Sequence, residues 1–258
     1  MDRQKSPLTI ALAAATDFEV RQIKRALGST PGSTPSSTPS STPSSTPSST
    51  PSSTPSSTPS SVAFTVVPVG VSCRELSVDR LGKSCSAIVS IGFAGALNPA
   101  LQPGTCLVPT LILTSNQKSF KVDPDLHKMI TAQALPCVHH APLLHTTRLL
   151  SSVIDKQQAY EDSNCSSCDM ESGILAELAQ SLAIPFACVR VVLDPATAPL
   201  PYSIAGFANP DWTTTDFLLA NLRRPHELPA TAAILKHTVI AARALRQVTK
   251  ALAKRSVA

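Results

Sequence analysis

The sequence predicts an α/β fold, a single domain whose central sheet is largely parallel or mixed and is flanked by helices. An unbroken apolar run from Leu8 to Ala15 leads into a helical pattern from Asp17 to Leu27. Further along, a helical pattern from Glu171 to Leu182 leads into a β-branched run from Phe186 to Leu193. This alternation of apolar strands with helical segments is typical of a parallel sheet covered by helices. A chain of 258 residues with 43% hydrophobic content is large enough for one such core.

The remaining elements follow from the same patterns. Apolar runs predict strands at Val62 to Val69, Ala87 to Ile91 and Thr105 to Leu113, and weaker stretches predict strands at Pro142 to Leu144 and Arg148 to Ile154. Helical periodicity predicts helices at Pro124 to Leu135, Asp211 to Leu222 and Thr231 to Lys254. The glycines of Gly92 to Gly95 predict a turn after the Ala87 to Ile91 strand.

A Ser/Thr/Pro repeat with a period of four interrupts these elements from Gly28 to Ser61. It contains no apolar residue that could be buried, so we expect residues 28–61 to form a disordered insert. Loop-closure entropy grows only logarithmically with loop length, and a domain can therefore tolerate a long surface insertion. The sequence thus predicts one domain made of residues 1–27 and 62–258. A glycosylated or partner-binding segment on a structural scaffold is the alternative for the repeat.

Charge and composition exclude several classes of protein. The net charge is +5, and the basic residues are spread out except in the last predicted helix, so we expect no nucleic-acid partner. The basic side of that helix predicts either a solvated face or a peripheral membrane contact. An odd number of cysteines, seven, and the lack of an apolar signal core in residues 1–7 predict a reducing, cytoplasmic setting.

Candidate site residues follow the predicted strands, because ligands of open α/β sheets bind at the carboxyl ends of the strands. Four places qualify: Thr16 to Glu19, Gly92 to Gly95, Cys168 to Ser172, and Asp194. Three of the four contain a carboxylate. Cys165 and Cys168 have the spacing of zinc ligands, but the sequence has no second such pair, so we expect two ordinary thiols and no metal.

Three motifs indicate a family. They are Ser-Ile-Gly-Phe-Ala-Gly-Ala-Leu-Asn-Pro at 90–99, Asp-Met-Glu-Ser at 169–172 and Arg-Val-Val-Leu-Asp at 190–194. In the order and spacing of these motifs the chain resembles the nucleoside phosphorylase superfamily, and within it the methylthioadenosine/S-adenosylhomocysteine nucleosidases. The tail, with Asp194-Pro195-Ala196, Leu200-Pro201, Arg224-Pro225 and Leu228-Pro229, resembles more closely the hopanoid-associated nucleosidases, which remove adenine from adenosylhopane. The resemblance implies a phosphorylase/hydrolase-like fold, a small purine nucleoside substrate, no cofactor and a homo-oligomer.

Cleavage of a bond between adenine and ribose needs an acid at the base and acceptors at the sugar. Asp194, at the mouth of a buried strand, is predicted to protonate the purine, and the resemblance assigns it the same role; a cap on the following turn is the alternative. Glu171 is predicted to accept hydrogen bonds from the ribose hydroxyls while ionised, or else to begin a helix. Met170 is predicted to lie against the sugar or in the core.

Glu19 is the candidate for activating the attacking water, and Asp17 replaces it if the register is shifted. Thr16 and Glu19 also fit a capping box, which is the alternative role. We expect Gly92, Phe93 and Ala94 to contact the substrate. The segment Ala13 to Glu19 has no glycine, and Phe93 stands where many relatives carry Ser or Thr, so water is predicted as the nucleophile rather than phosphate.

Two departures from the family pattern leave other functions open. Leu193 stands where a Ser commonly precedes the acid, and Ala96 replaces a Gly. A phosphate-dependent phosphorylase, with Arg74 contributing to an anion site, is one alternative. A member that binds nucleosides without cleaving them is another.

Overall fold

The computed structural model describes residues 8–28, 62–76, 81, 85–133, 138–206, 209, 211 and 213–254. Of the predicted insert only Gly28 is described, as the last residue of a helix, and residues 29–61 lie outside the described part of the chain. The predicted α/β fold is confirmed, because a central mixed sheet is flanked by helices.

Ten strands belong to one sheet within the described ranges. They are β1 (Leu8–Ala14), β2 (Val62–Pro68), β3 (Ala87–Ala96), β4 (Cys106–Leu107), β5 (Leu111–Thr114), β6 (Ser119–Lys121), β7 (Val138–His139), β8 (Leu143–His145), β9 (Ser167–Asp169) and β10 (Phe186–Asp194). The helices are α1 (Asp17–Gly28), α2 (Pro124–Thr131), α3 (Val153–Ser163), α4 (Ser172–Ser181), α5 (Tyr202–Ala205), α6 (Thr214–Arg223) and α7 (Leu228–Ala253). In the described part of the chain, two short 3₁₀ turns cover Val71–Cys73 and Pro225–Glu227.

The centre of the sheet is parallel, and antiparallel strands are added around it. Strand β1 pairs in parallel with β2 and β3, and β3 pairs in parallel with β10. The end of β3 pairs with β9 and the middle of β10 pairs with β4, both antiparallel. The carboxyl ends of β1, β3 and β10 therefore meet at one edge of the sheet, and β9 lies beside them. This edge is where the sequence predicts the site.

The longest helix, α7, covers one face of the sheet. It packs against α1 and β10 through a buried side that includes Leu245, Val248 and Leu252. Arg243 and Lys250 lie on its exposed side, as the amphipathic pattern predicts. Among the described helices, none is both long and apolar enough to cross a membrane.

The predicted turn at Gly92 to Gly95 is wrong, because β3 continues to Ala96. Parallel pairing with β10 continues the strand through Gly92 and Gly95, and antiparallel pairing with β9, in which Gly95 faces Cys168, extends it to Ala96. The predicted strand from Thr105 to Leu113 is two strands, β4 and β5, on either side of Pro109. Proline lacks the N–H that a continuous ladder requires.

The predicted strand from Arg148 to Ile154 is also wrong, because α3 begins at Val153. Ser152 caps this helix by accepting a hydrogen bond from the Asp155 N–H, and Ile154 is 80% exposed. The helix cap at Ser152, rather than the short apolar run, thus determines the local structure.

Several helix boundaries differ from prediction. Helix α6 begins at Thr214 rather than Asp211, since Thr213 and Asp216 form a capping box. Helix α7 begins at Leu228 rather than Thr231, because a proline such as Pro229 fits in the first turn of a helix. Helix α2 ends at Thr131, and the last two residues of the predicted helix lie outside the described ranges.

Candidate active site

A cavity of about 260 Å³ lies at the sheet edge where β1, β3, β9 and β10 meet. Glu19, Glu171 and Asp194 line it together, although they come from three separate parts of the sequence. Phe93, Ala94 and Met170 also line it, and Asp17 does not. A larger depression of about 690 Å³ lies nearby but contains none of the predicted site residues. The structure therefore brings the three predicted carboxylates into one cavity.

Glu19 is buried at the start of α1, and both of its carboxylate oxygens accept hydrogen bonds. Oε1 accepts from the Phe93 N–H at 2.7 Å. Oε2 accepts from the Thr16 N–H at 2.8 Å and from the Thr16 hydroxyl at 3.0 Å, while the Glu19 N–H donates to that hydroxyl oxygen. The capping box is therefore present in a residue that also faces the cavity. A carboxylate has about four lone-pair directions, so three donors leave one for a water.

Gly92 lies behind Glu19 rather than on the cavity wall. A Cβ at this position would stand 2.4 Å from Glu19 Oε1 and 3.0 Å from Arg190 Nη1. A larger residue would displace the carboxylate, so Gly92 supports Glu19 by its small size. Gly92, for which a substrate contact is predicted, is not among the residues that line the cavity, whereas Phe93, which packs against Phe18, does line it.

Asp194 ends β10 at a local irregularity of the strand. Val192 pairs with Ala94 and Asp194 pairs with Gly95, so Leu193 is an extra residue in the register. Neighbouring residues of a regular strand point to opposite faces, but a bulge changes this alternation. Leu193 and Asp194 accordingly both line the cavity.

The Asp194 carboxyl group is buried and bonded to a lysine. Lys156 Nζ, from α3, donates to Asp194 Oδ2 at 2.6 Å. Burial raises the pKa of Asp194 above its ordinary value, although the charge of Lys156 opposes this change. A raised pKa is the property that the predicted general acid needs at neutral pH.

Glu171 lies at the N-terminus of α4, immediately before its first residue. Its Oε1 accepts a hydrogen bond from the Ser72 N–H at 3.0 Å. Burial, together with the negative charges of Asp169 and Glu19, raises the pKa of Glu171 to about 7, while Arg190 opposes the change. The ionised form, which the predicted role as an acceptor requires, is therefore less favoured here than for an ordinary glutamate.

A buried ion pair lies beside these carboxylates, and its acidic member, Asp169, also lines the cavity. Arg190 donates to Asp169 Oδ2 from Nε at 2.6 Å and to the Ser90 hydroxyl from Nη2 at 2.6 Å. Ser172 donates to the same Asp169 oxygen through its hydroxyl. His145 Nδ1 lies 3.8 Å from Asp169 Oδ1. This network connects β3, β8, β9, β10 and α4 behind the cavity.

Sequence reasoning missed Lys156, and it named no individual residue of the apolar wall. Lys156 lies in a helix without a clear apolar stripe, and nothing in the local sequence indicates that this lysine is buried. The wall includes Leu149, Leu150, Leu200 and Ile204, which come from segments that the sequence assigned weakly or not at all. Asp169 and Arg190 were visible as members of the quoted motifs, although their pairing was not.

The alternative sites receive no support from the described residues. Arg74 is exposed and does not line the cavity. Cys165 and Cys168 are buried free thiols, and burial raises the pKa of each, which makes them poor nucleophiles and ligands. Within the described ranges, no group of three or more His, Cys, Asp or Glu side chains is arranged to hold a metal ion.

Solved structures of nucleosidases and a hydrolase share this fold. The chain is similar to a futalosine hydrolase mutant from Helicobacter pylori, with a TM-score of 0.61 and 12% identity over 96% of this chain and 99% of that one. It is similar to the 5'-methylthioadenosine/S-adenosylhomocysteine nucleosidase of Helicobacter pylori, with a TM-score of 0.58 and 13% identity over 95% and 98% of the two chains. It is also similar to the 5'-methylthioadenosine/S-adenosylhomocysteine nucleosidase of Neisseria meningitidis, with a TM-score of 0.59 and 12% identity over 94% of this chain and 98% of that one.

No match was found among curated proteins. A protein-family model, that of the phosphorylase superfamily, matches residues 9–220, which is more than half of the chain. The match confirms the family resemblance of the three motifs and the predicted enzyme class, a nucleosidase or nucleoside phosphorylase. The matched range contains the three predicted carboxylates, Glu19, Glu171 and Asp194. The protein belongs to the phosphorylase superfamily.

Proposed function

We propose that the protein hydrolyses the N-glycosidic bond of an adenine ribosyl compound. The observation that carries this proposal is the meeting of Glu19, Glu171 and Asp194 at one mainly apolar cavity. Bond cleavage develops positive charge on the ribose and negative charge on the base. Three carboxyl groups in different environments can supply an acid for the base, an acceptor for the sugar and an acceptor for water.

Each carboxyl group has a distinct role in the proposed reaction. As the bond to the base breaks, its electron pair passes to adenine, and the Asp194 carboxyl group gives its proton to a purine ring nitrogen. Ionised Glu171 accepts hydrogen bonds from the ribose hydroxyls close to the developing cation. Water then forms a bond to the anomeric carbon and loses a proton to Glu19. Phe93 and Met170 exclude bulk solvent from the ring faces.

Water is favoured over phosphate as the nucleophile by the charges around the cavity. Among the described residues that line it, acids are present and Lys, Arg and His are not. Arg190, the buried cation behind Glu19, already donates to Asp169 and Ser90. A phosphate dianion would meet carboxylates without an available cation, which is costly in a partly buried site.

The finer part of the proposal concerns the group attached to C5′ of the ribose. Leu149, Leu150, Leu200 and Ile204 form an apolar wall of the cavity. An apolar wall favours an apolar substituent, because burying a polar one without partners costs free energy. We therefore propose adenosylhopane as the substrate, with methylthioadenosine and S-adenosylhomocysteine as the alternatives.

Exposed apolar side chains on the helix that contributes to this wall, and on two further helices, support the proposal of a peripheral membrane contact. Helix α5, which contributes Ile204 to the cavity, packs against α6. Large apolar side chains of α5, α6 and α7 are exposed: Tyr202, Leu218, Leu219, Leu222, Leu228, Leu235 and Val239. Basic residues accompany them, including Arg223 and Arg224. Apolar and basic side chains together favour an anionic lipid surface.

Vesicle binding tests the membrane contact. We expect the protein to float with vesicles of anionic phosphatidylglycerol and not with neutral phosphatidylcholine. Leu222→Ser should weaken this binding, while Ile154→Ser, a matched change at a residue that is also exposed but lies on α3, should not. Equal binding to both vesicles, or equal effects of the two variants, would contradict the contact.

The reaction is tested by measuring adenine release from adenosylhopane, methylthioadenosine and S-adenosylhomocysteine, each with and without phosphate. We expect release without phosphate, with a free sugar as the second product and adenosylhopane as the preferred substrate. Preference for a sulfur-containing substrate would replace the finer proposal and keep hydrolysis. A sugar 1-phosphate, formed only with phosphate, would overturn hydrolysis. Binding without release would support the non-catalytic alternative, which is motivated by Leu193 and by the second role of Glu19 in the capping box.

A further inference from the structure

Lys156 is the only buried residue of helix α3 in the described chain, and it is completely buried. Burying an ammonium group is costly unless the group is paired and its donors are satisfied. A lysine at an exposed position of the same helix would avoid this cost. The burial of the Lys156 ammonium group beside the cavity therefore requires acceptors close to it.

The ammonium group meets this requirement with three acceptors. Nζ donates to Asp194 Oδ2 at 2.6 Å, to the Pro195 carbonyl oxygen at 2.9 Å and to the Ala198 carbonyl oxygen at 2.9 Å. An ammonium group has three N–H donors, so all of them are used. Lys156 thus fixes the Asp194 carboxyl group relative to the turn that follows β10.

We propose that Lys156 is a positioning residue for proton transfer, which binds Asp194 through Oδ2 and stabilises the carboxylate that remains after the proton has left. The proposal rests on the proposed function, in which Asp194 protonates adenine. The proton leaves from the other carboxyl oxygen, Oδ1. Negative charge then develops on a group that is bonded at 2.6 Å to a fixed cation in a buried site.

A general acid in a buried site must hold its proton and also be able to release it. A lone buried aspartic acid would hold its proton too strongly to release it, while a fully paired aspartate would not take one up. Burial and Lys156 act in opposite directions on the pKa of Asp194, and burial prevails. The lysine thereby keeps the proton transferable.

Other ionisable groups also face Asp194 and bear on its titration. His237 of α7 lowers the pKa of Asp194 through its charge, and the Cys168 thiol of β9 lies close enough for Asp194 to raise the pKa of that thiol. Gly95, opposite Asp194 on β3, has no side chain, and its missing Cβ leaves room for the carboxyl group. Lys156 is the one group among these that hydrogen-bonds the carboxylate directly.

The pH profile of kcat/KM for adenine release tests the proposal in Lys156→Met and Lys156→Gln. Activity of the wild type should fall at alkaline pH as Asp194 loses its proton. An opposite charge within hydrogen-bond distance lowers a carboxyl pKa by about 1–3 units, so the alkaline limb should move to higher pH by about that amount in Lys156→Met. At the optimum, kcat should fall by about tenfold or more, because the remaining carboxylate is no longer stabilised.

Two further variants separate this role from a structural one. Lys156→Gln retains N–H donors for the carbonyl oxygens without the charge, so it should move the alkaline limb even if Lys156→Met does not fold. Lys118→Met removes an ammonium group from the exposed pair with Glu177 and should leave the profile unchanged. An alkaline limb that stays in place in Lys156→Gln would overturn the proposal, whatever the loss of kcat. Absence of release by the wild type would overturn the proposed function and this inference with it, which distinguishes the two failures.

Discussion

Two buried ion pairs lie beside the same cavity and have the same distance between nitrogen and oxygen. Arg190 Nη2 lies 2.6 Å from Asp169 Oδ2, and Lys156 Nζ lies 2.6 Å from Asp194 Oδ2. All four side chains are almost completely buried. Distance and burial therefore do not distinguish the two carboxylates, although their positions predict different tasks.

The hydrogen bonds around the two carboxylates differ. Burial alone would raise the pKa of Asp169, but the charge of Arg190, the nearby His145 ring and a hydrogen bond from Ser172 outweigh it and lower the pKa to about 2. At Asp194 burial outweighs Lys156, and the pKa is raised. An aspartate that stays ionised connects structural elements, whereas one with a raised pKa can carry a proton. Both carboxylates have a cation, and Asp169 differs in also accepting hydrogen bonds from Ser172.

The largest expected effect is the loss of catalysis when Asp194 can no longer carry a proton. Asp194→Asn should lower kcat for adenine release by about 10²- to 10⁴-fold, the usual contribution of a general acid. Asp125→Asn, the same change at an exposed position, is the control. A loss below tenfold, in a variant whose thermal unfolding matches the wild type, would remove Asp194 from the chemistry.

Loss of the Arg190–Asp169 ion pair should instead lower the stability of the protein. Arg190→Met leaves Asp169 charged and buried, so the free energy of unfolding in urea should fall by about 3–5 kcal/mol. Arg148→Met, which breaks an exposed pair with Asp155, should cost only about 0–1 kcal/mol. Because the pKa of Asp169 is lowered, its contribution should be present above about pH 4 and lost as the pH falls towards 2. Equal costs of the two variants would contradict the structural role.

Glu19 combines both kinds of role, and two variants separate them. Thr16→Val removes the hydroxyl of the capping box, so it should cost about 0.5–2 kcal/mol of stability while adenine release stays within a few fold. Glu19→Gln should lower kcat by about 10²-fold or more, because an amide is a poor acceptor for the proton of water. If Thr16→Val lowers kcat as much as Glu19→Gln, the carboxylate acts through the cap alone.

A smaller effect is expected from Glu171, whose pKa is raised to about 7. The ionised form accepts hydrogen bonds from the ribose hydroxyls, so KM should rise as the pH falls below 7, by about tenfold for each unit once the group is protonated. Glu171→Gln should have a high KM at every pH. A wild-type KM that does not change between mildly acidic and mildly alkaline pH would contradict an ionised Glu171 at the sugar.

The sequence predicted the elements whose patterns are local. The apolar run of β1 and the helical period of α1 are complete within the residues that form them. By contrast, Gly92 and Gly95 continue β3 because both pair with β10 and β9 pairs with the end of the strand, and both partner strands are far along the chain. Pairing between distant segments cannot be read from local composition, so the predicted turn failed.

The site was predictable to the extent that strand ends indicate position. Glu19, Glu171 and Asp194 follow or adjoin elements that the patterns predicted, and a shared sheet edge brings them together. Lys156 was not predictable, because its burial depends on the turn after β10 folding over α3. The raised pKa of Glu171 was missed for the same reason, since its causes are neighbours in space.

Titration of the two aspartates tests the account most directly. The carboxyl ¹³C signals of Asp194 and Asp169, assigned by comparison with Asp194→Asn and Asp169→Asn, can be followed by NMR as the pH is lowered in the folded protein. Asp194 should take up its proton above the ordinary value of 3.8, while Asp169 stays ionised to about 2. If Asp194 stays ionised as far down in pH as Asp169 does, both pairs are structural and Asp194 is not the acid.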